Sequence, residues 1–383
     1  MISSFKSFLS HPPSLAVGIV FSINSILFGS WVTRIPEVQN KLEITKSELG
    51  VALLMLAIGA FLIMPMMAWI MAKLTTGRTM FLASVGCCIV MTLPVAMPTY
   101  SGLMFALFLA GIVNGGMDVA MNAAAASIEQ THNKVIMSTC HGMFSLGGMV
   151  GALLGSLITG LGVEPWLHLA VMAILMLAVT VYLEPLMLQV PTTEADEEQL
   201  FAIPRGRLII LAVIGLGIMM GEGAVADWSA VYLSHDLNGS PFIAGLGFAG
   251  FSLTMAIGRF FGDDLIPKLG AKNMIRWGSL IGALGLIIVI AIPSTITAII
   301  GFTLVGIGFS CVVPILFSAA AKVPNIPMGI GVAAVSSAGI FGFLIGPPLI
   351  GFIGDTFGLE KGFGLIIILS LIAAVLVRYM PEE

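Results

Sequence analysis

The chain has 383 residues, of which 58% are apolar and 9% are charged, against about 25% charged in a soluble domain. A single water-soluble globule has no interior large enough to absorb that much apolar surface. So little charge, −4 net, also excludes the basic clusters of a nucleic-acid binder, and the chain is read as an integral membrane protein.

A helix crosses the hydrocarbon core in about 20 apolar residues. Twelve stretches of suitable length follow one another: 14–34, 48–71, 79–97, 101–127, 136–161, 165–188, 207–233, 241–261, 274–292, 295–320, 327–353 and 361–380. Each is continuously apolar rather than alternating, which predicts helices and not barrel strands. Residues 1–14 show no signal-peptide pattern of a short apolar core followed by small residues. Cys87, Cys88, Cys140 and Cys311 lie inside apolar runs without metal-site spacing and read as small core residues. The strongly polar connection is 189–206, with Glu194, Asp196, Glu197 and Glu198. It reads as a flexible linker between a six-helix bundle over 1–188 and a second over 207–383.

Orientation follows from the basic residues. Of the 16 lysines and arginines, Arg34, Lys41, Lys46 and Lys361 fall on one side and the rest on the side of the termini. The positive-inside rule then puts both termini in the cytoplasm. The halves also repeat. At an offset of 195 residues Gly111, Gly147 and Gly151 fall on Gly306, Gly342 and Gly346, and at 197 Asn24-Ser25 and Ser30-Trp31 fall on Gly221-Glu222 and Asp227-Trp228.

Ionisable residues deep in a span are costly and by default functional. In the fourth span Asn114, Asp118 and Asn122 are spaced i, i+4, i+8 and form one polar stripe, beside the small pair Gly115-Gly116. Asp118 either pins two helices together or serves as a substrate anchor or proton-titrating carboxylate. His141, near the start of the fifth span, lies at a depth close to Asn122. That predicts a carboxylate–imidazole proton site with Asp118, the alternative being a histidine bonded to a backbone carbonyl. Ser145 follows on the same face. Glu222, between Gly221 and Gly223 in the seventh span, is the acid of the second half; the glycines predict a broken helix, a frequent mark of a transporter binding site. The Asn24-Ser25 pair is its partner by the repeat. Asp227 reads as interfacial, Arg34 as the local partner of Glu37, and Trp31 and Trp228 as membrane-interface anchors or gate residues. The glycine-rich faces of the fifth and eleventh spans predict sliding surfaces between the halves. No GxxxxGK[ST] motif is present, so neither ATP drive nor a cofactor is expected.

Residues 258–270, with Gly258, Arg259, Gly262, Asp263, Asp264, Lys268 and Gly270, resemble the loop motif of the major facilitator superfamily, read here as a helix–loop–helix of structural role. The six-plus-six parallel repeat agrees with that resemblance. It implies an all-α membrane protein of 12 transmembrane helices in two pseudo-symmetric six-helix bundles. More narrowly, residues 115–122 with 141–147 resemble the fourth-to-fifth-helix pattern of fucose-permease-like transporters, which implies sugar binding and proton symport at Asp118. That family's acid in the first span has no counterpart here, where Asn24 is the nearest polar group.

The expected protein is a secondary active transporter of the bacterial inner membrane, monomeric, moving a small polar solute such as a sugar by alternating access with proton coupling. Its substrate residues are Asn24, Asn114, Asp118, Asn122, Ser145 and Glu222, and its proton-coupling residues Asp118, His141 and Glu222. An exporter of amphipathic drugs, suggested by 24 methionines, and a non-transporting sensor or scaffold are the alternatives.

Overall fold

A computed structural model describes residues 8–132, 134–192, 202–324 and 326–380. Twelve of its helices are long and apolar enough to cross a membrane: α1 (Pro12–Val32), α2 (Lys46–Leu74), α3 (Thr76–Ala96), α4 (Tyr100–His132), α5 (Met137–Gly160), α6 (Pro165–Met187), α7 (Leu208–Asp236), α8 (Pro241–Gly262), α9 (Ala271–Ala291), α10 (Thr295–Ala321), α11 (Gly329–Phe357) and α12 (Leu359–Tyr379). These match the expected stretches to within a few residues at each end. Most of the acidic linker, residues 193–201, and Lys6 at the N-terminus lie outside the described residues.

Local chemistry starts and stops these helices. At α1, Pro12 and Pro13 occupy the first turn and the His11 ring accepts from the Ser14 N–H, so a missing proline N–H leaves nothing unsatisfied. Thr45 and Glu48 form a reciprocal capping box at the start of α2. A short helix, Ile35–Leu42, ends at Glu43 in the left-handed region and turns the chain from α1 into α2.

The helices pair alike in the two halves. α1 packs on α5 and α2 on α4, as α7 packs on α11 and α8 on α10; α3 contacts α6 as α9 contacts α12. Across the middle, α5 meets α8 and α2 meets α11, two contacts exchanged by the same pseudo-symmetry. Twelve alternating spans bring the start of α1 and the end of α12 to one face, called the terminal face below.

Small residues set the closeness of these pairs. A Cβ on Gly111 would strike the Leu56 carbonyl of α2, and one on Gly151 the Ile26 carbonyl of α1, so backbone meets backbone and dispersion contact replaces the hydrophobic drive that lipid cannot supply. The expected sliding faces are therefore divided. In α5, Gly142 and Gly148 face Phe260 and Ser252 of α8, but Gly147, Gly151 and Gly155 are locked against α1 and Thr33 behind it. In α11, Gly339 and Gly342 pack on α7, while Gly351 meets Lys46 of α2.

α7 is also not broken at Glu222. It runs as an α-helix from Leu208 to Val231, followed by a π-helical turn at Tyr232–Asp236. The flanking glycines do packing work instead: a Cβ on Gly221 would meet Phe309 and Ile366, and one on Gly223 the Phe343 ring. Trp31 and Trp228 are not interface anchors, being 1% and 0% exposed in the bundle core. The four cysteines form no disulfide and are buried.

Candidate functional site: a cavity between the halves

Between the two halves lies a cavity of about 350 Å³, walled by α1, α2, α4 and α5 on one side and α7, α8 and α11 on the other. Most of its surface is apolar, with seven aromatic side chains: Phe28, Trp31, Phe61, Phe144, Phe248, Phe251 and Phe343. Phe28 and Phe248 meet edge to face across the halves at 6.2 Å, and Phe248 stacks on Phe251 at 6.0 Å.

A few polar groups converge on this wall. Asn24 Nδ2 donates to Asn114 Oδ1 at 2.9 Å, tying α1 to α4. Asp118, one turn along, accepts from Asn122 Nδ2 at Oδ1, 3.3 Å away. Opposite, a guanidinium N–H of Arg259 on α8 donates to Ser145 Oγ of α5 at 2.9 Å, and another stands 3.7 Å from Glu222 Oε2 on α7. Ser145 Oγ in turn donates to the His141 carbonyl. This chain of three side chains crosses from one half to the other. Glu222 Oε1, Arg259 Nε and Trp31 Nε1 are buried without a partner. Asp227, five residues beyond Glu222, also lines the cavity.

The cavity thus gathers Asn24, Asn114, Asp118, Ser145 and Glu222 of the expected site. Asn122 lies behind Asp118 as its hydrogen-bond donor. His141 does not reach Asp118: its ring sits edge-on to Phe21, centroids 5.3 Å apart, so the carboxylate–imidazole pair is not formed. Two residues read otherwise from sequence belong to the wall. Arg259 is not part of a peripheral loop but a helical residue facing Glu222, and Asp227 is not interfacial. The ion pair Arg34–Glu37 is present at 2.7 Å, but Arg34 is also fully buried and its Nε donates to His168 Nδ1 of α6 at 3.0 Å.

Away from the terminal face a polar seam ties the two halves together. Lys46 Nζ, at the start of α2, pairs with Asp236 Oδ1 at the end of α7, 2.7 Å away. Asp355, near the end of α11, accepts from the Lys46 and Ser47 backbone N–H groups at 3.3 and 3.4 Å, so one half caps a helix of the other. Toward the terminal face, Ser138 Oγ of α5 donates to the Arg259 carbonyl at 3.2 Å. Among the described residues no group of three or more His, Cys, Asp or Glu is placed to hold a metal ion.

The family model of the Major Facilitator Superfamily matches residues 14–325 and 208–383. The chain belongs to the major facilitator superfamily. An uncharacterised MFS-type transporter of Yersinia pestis is 35% identical over 360 residues, covering 94% of each chain. Among solved structures, the nucleoside transporter NupG superposes with a TM-score of 0.73 at 12% identity, over 96% of this chain and 99% of that one. The fucose:proton symporter FucP of Escherichia coli gives 0.66 at 15% identity, over 97% and 99%. At such identities the two structures speak for the fold alone. As a major facilitator protein, the chain is a multi-pass membrane transporter of a small-molecule substrate and not an enzyme.

Proposed function

We propose that this transporter moves a small solute bearing a polar group across the bacterial inner membrane by alternating access, coupled to protons, with both termini in the cytoplasm. The bundles at 1–188 and 207–383 rock about the cavity, and the linker 189–206 joins them on the cytoplasmic side. The observation that carries the reading is the cavity between the halves, whose wall holds Asp118, Glu222 and Asp227 together with one guanidinium, Arg259, set against Glu222. Charge inside a membrane protein persists where it works. Protonating Glu222 releases Arg259, and Arg259 is the residue through which Glu222 reaches Ser145 in the opposite half. A proton, a solute and the contact between halves therefore bear on one set of side chains. Asp118 is the second proton carrier in this reading, held by Asn122. Asn24, Asn114 and Ser145 contact solute.

The aromatic wall supports a second, related reading, in which the solute is amphipathic and stacks on rings. Both readings share the same test. Purified protein in proteoliposomes, given an inward proton gradient, is screened with sugars, nucleosides, organic acids and lipophilic amines. Gradient-driven accumulation that is lost in Asp118→Asn, while solute counterflow without a gradient persists, supports proton coupling through Asp118. Absence of both solute and proton flux over the whole screen overturns the transport mechanism.

A further inference from the structure

We propose, resting on the transport reading above, that the solute is an organic cation, a protonated amine on a small ring-shaped body, with Asp227 as its counter-ion. Among the described residues the cavity wall holds three carboxylates and one guanidinium. Two of the carboxylates are engaged, Glu222 by Arg259 and Asp118 by Asn122. The Asp227 carboxylate faces the cavity with neither a hydrogen bond nor an ion pair among the described residues. Toward its end of the bundle Lys46 pairs with Asp236 and Arg34 with Glu37, one Arg34 guanidinium nitrogen remaining buried without a partner. A carboxylate held in a low-dielectric cavity without a partner is costly to ionise. An entering cation removes that cost and an entering anion increases it. A neutral sugar leaves it as it is.

A second observation points to a ligand at the same wall. Trp31 is 1% exposed, lines the cavity, and its indole N–H has no acceptor. An acceptor atom on the body of the solute satisfies that donor whatever charge the solute carries, and aromatic faces attract the ammonium group itself. The rings of Phe28, Phe248 and Phe251 form an edge-to-face and stacked platform for the body of the molecule. A cavity of about 350 Å³ lies at the small end of ligand sites, which selects one or two rings.

The test uses matched probes on the purified full-length chain in lipid nanodiscs. Tryptamine, tryptophol and indole-3-acetate share one ring body and differ in carrying an amine, a hydroxyl or a carboxylate. Phenethylamine, 2-phenylethanol and phenylacetate form a second set. Affinities are read by the shift of the thermal unfolding midpoint with probe concentration. The amine of each set is expected to bind at least tenfold more tightly than its two partners. Asp227→Asn abolishes that preference without lowering the midpoint in the absence of probe, whereas Asp118→Asn retains it. Equal or tighter binding of the alcohol or carboxylate overturns the proposal, as does failure of both amines to bind or an unaltered preference in Asp227→Asn. Because gradient-driven flux of some other solute class survives each of those results, failure here is distinct from failure of the transport reading.

Discussion

Removing Lys46 and Asp355 together should open the seam opposite the terminal face and shift the transporter toward the state exposed on that side. The Lys46–Asp236 pair is 2.7 Å long with side chains 19% and 15% exposed, between the surface pairs worth under about 1 kcal/mol and fully buried ones. It contributes on the order of 1–1.5 kcal/mol. Asp355 is exposed, and its bonds to the Lys46 and Ser47 N–H groups are long, 3.3 and 3.4 Å. As a cap on the positive end of α2 it adds roughly 0.5 kcal/mol. Lys46→Ala with Asp355→Ala therefore costs this closure about 2 kcal/mol, close to a 30-fold change in the open-to-closed ratio at about 1.4 kcal/mol per decade. Cysteine in place of Leu53, a cavity residue near the start of α2, reports the change; the native cysteines are buried. Labelling by a membrane-impermeant maleimide from the face opposite the termini should speed up about tenfold or more in the double variant, with each single variant between. An unchanged rate, with the protein folded and its thermal midpoint within a degree or so, would refute the seam as a determinant of closure.

The Glu222–Arg259 pair makes a prediction about stability. Arg259→Met alone strands a carboxylate whose other oxygen is already unpartnered and should lower stability by roughly 2–4 kcal/mol, while Glu222→Gln with Arg259→Met should recover much of that loss. Thermal unfolding of the four proteins closes the cycle, and a double variant no better than Arg259→Met would sink the pairing argument. At the α2–α4 contact, Gly111→Val drives a side chain into the Leu56 carbonyl and should cost several kcal/mol, read as loss of folded protein in the membrane. Normal yield and midpoint would show that the two helices are free to separate.

Much of the cavity was legible in advance because polar groups are rare in these spans. Asn24, Asn114, Asp118, Ser145 and Glu222 stood out against apolar neighbours, and each lines the space between the halves. Arg259 was misread because it lies next to a charged loop and near the end of its span, so its position suggested solvent. In the folded chain α8 packs along α5, and that contact directs the guanidinium to Ser145 and Glu222. The internal repeat held the missing signal for Asp227, since it aligns with Ser30 beside the buried pair Trp31 and Trp228. His141 shows the opposite failure. Matching depth along two helices is no measure of which way each side chain turns, and its ring found Phe21 instead of Asp118.

The amino-acid sequence by itself determined the number of spans, their ends, and their grouping into two like halves. Lipid offers backbone groups no hydrogen bonds, so each apolar run of the right length has to be a helix. Which face of a helix looks into the cavity was decided only by the tertiary structure. Lipid and protein interior are equally apolar, and the sequence pattern that marks a buried face in a water-soluble helix is absent. The approach of backbones at Gly111 and Gly151, and the packing of α5 on α8, set those rotations. They bring Trp31, Asp227 and Arg259 to the same wall.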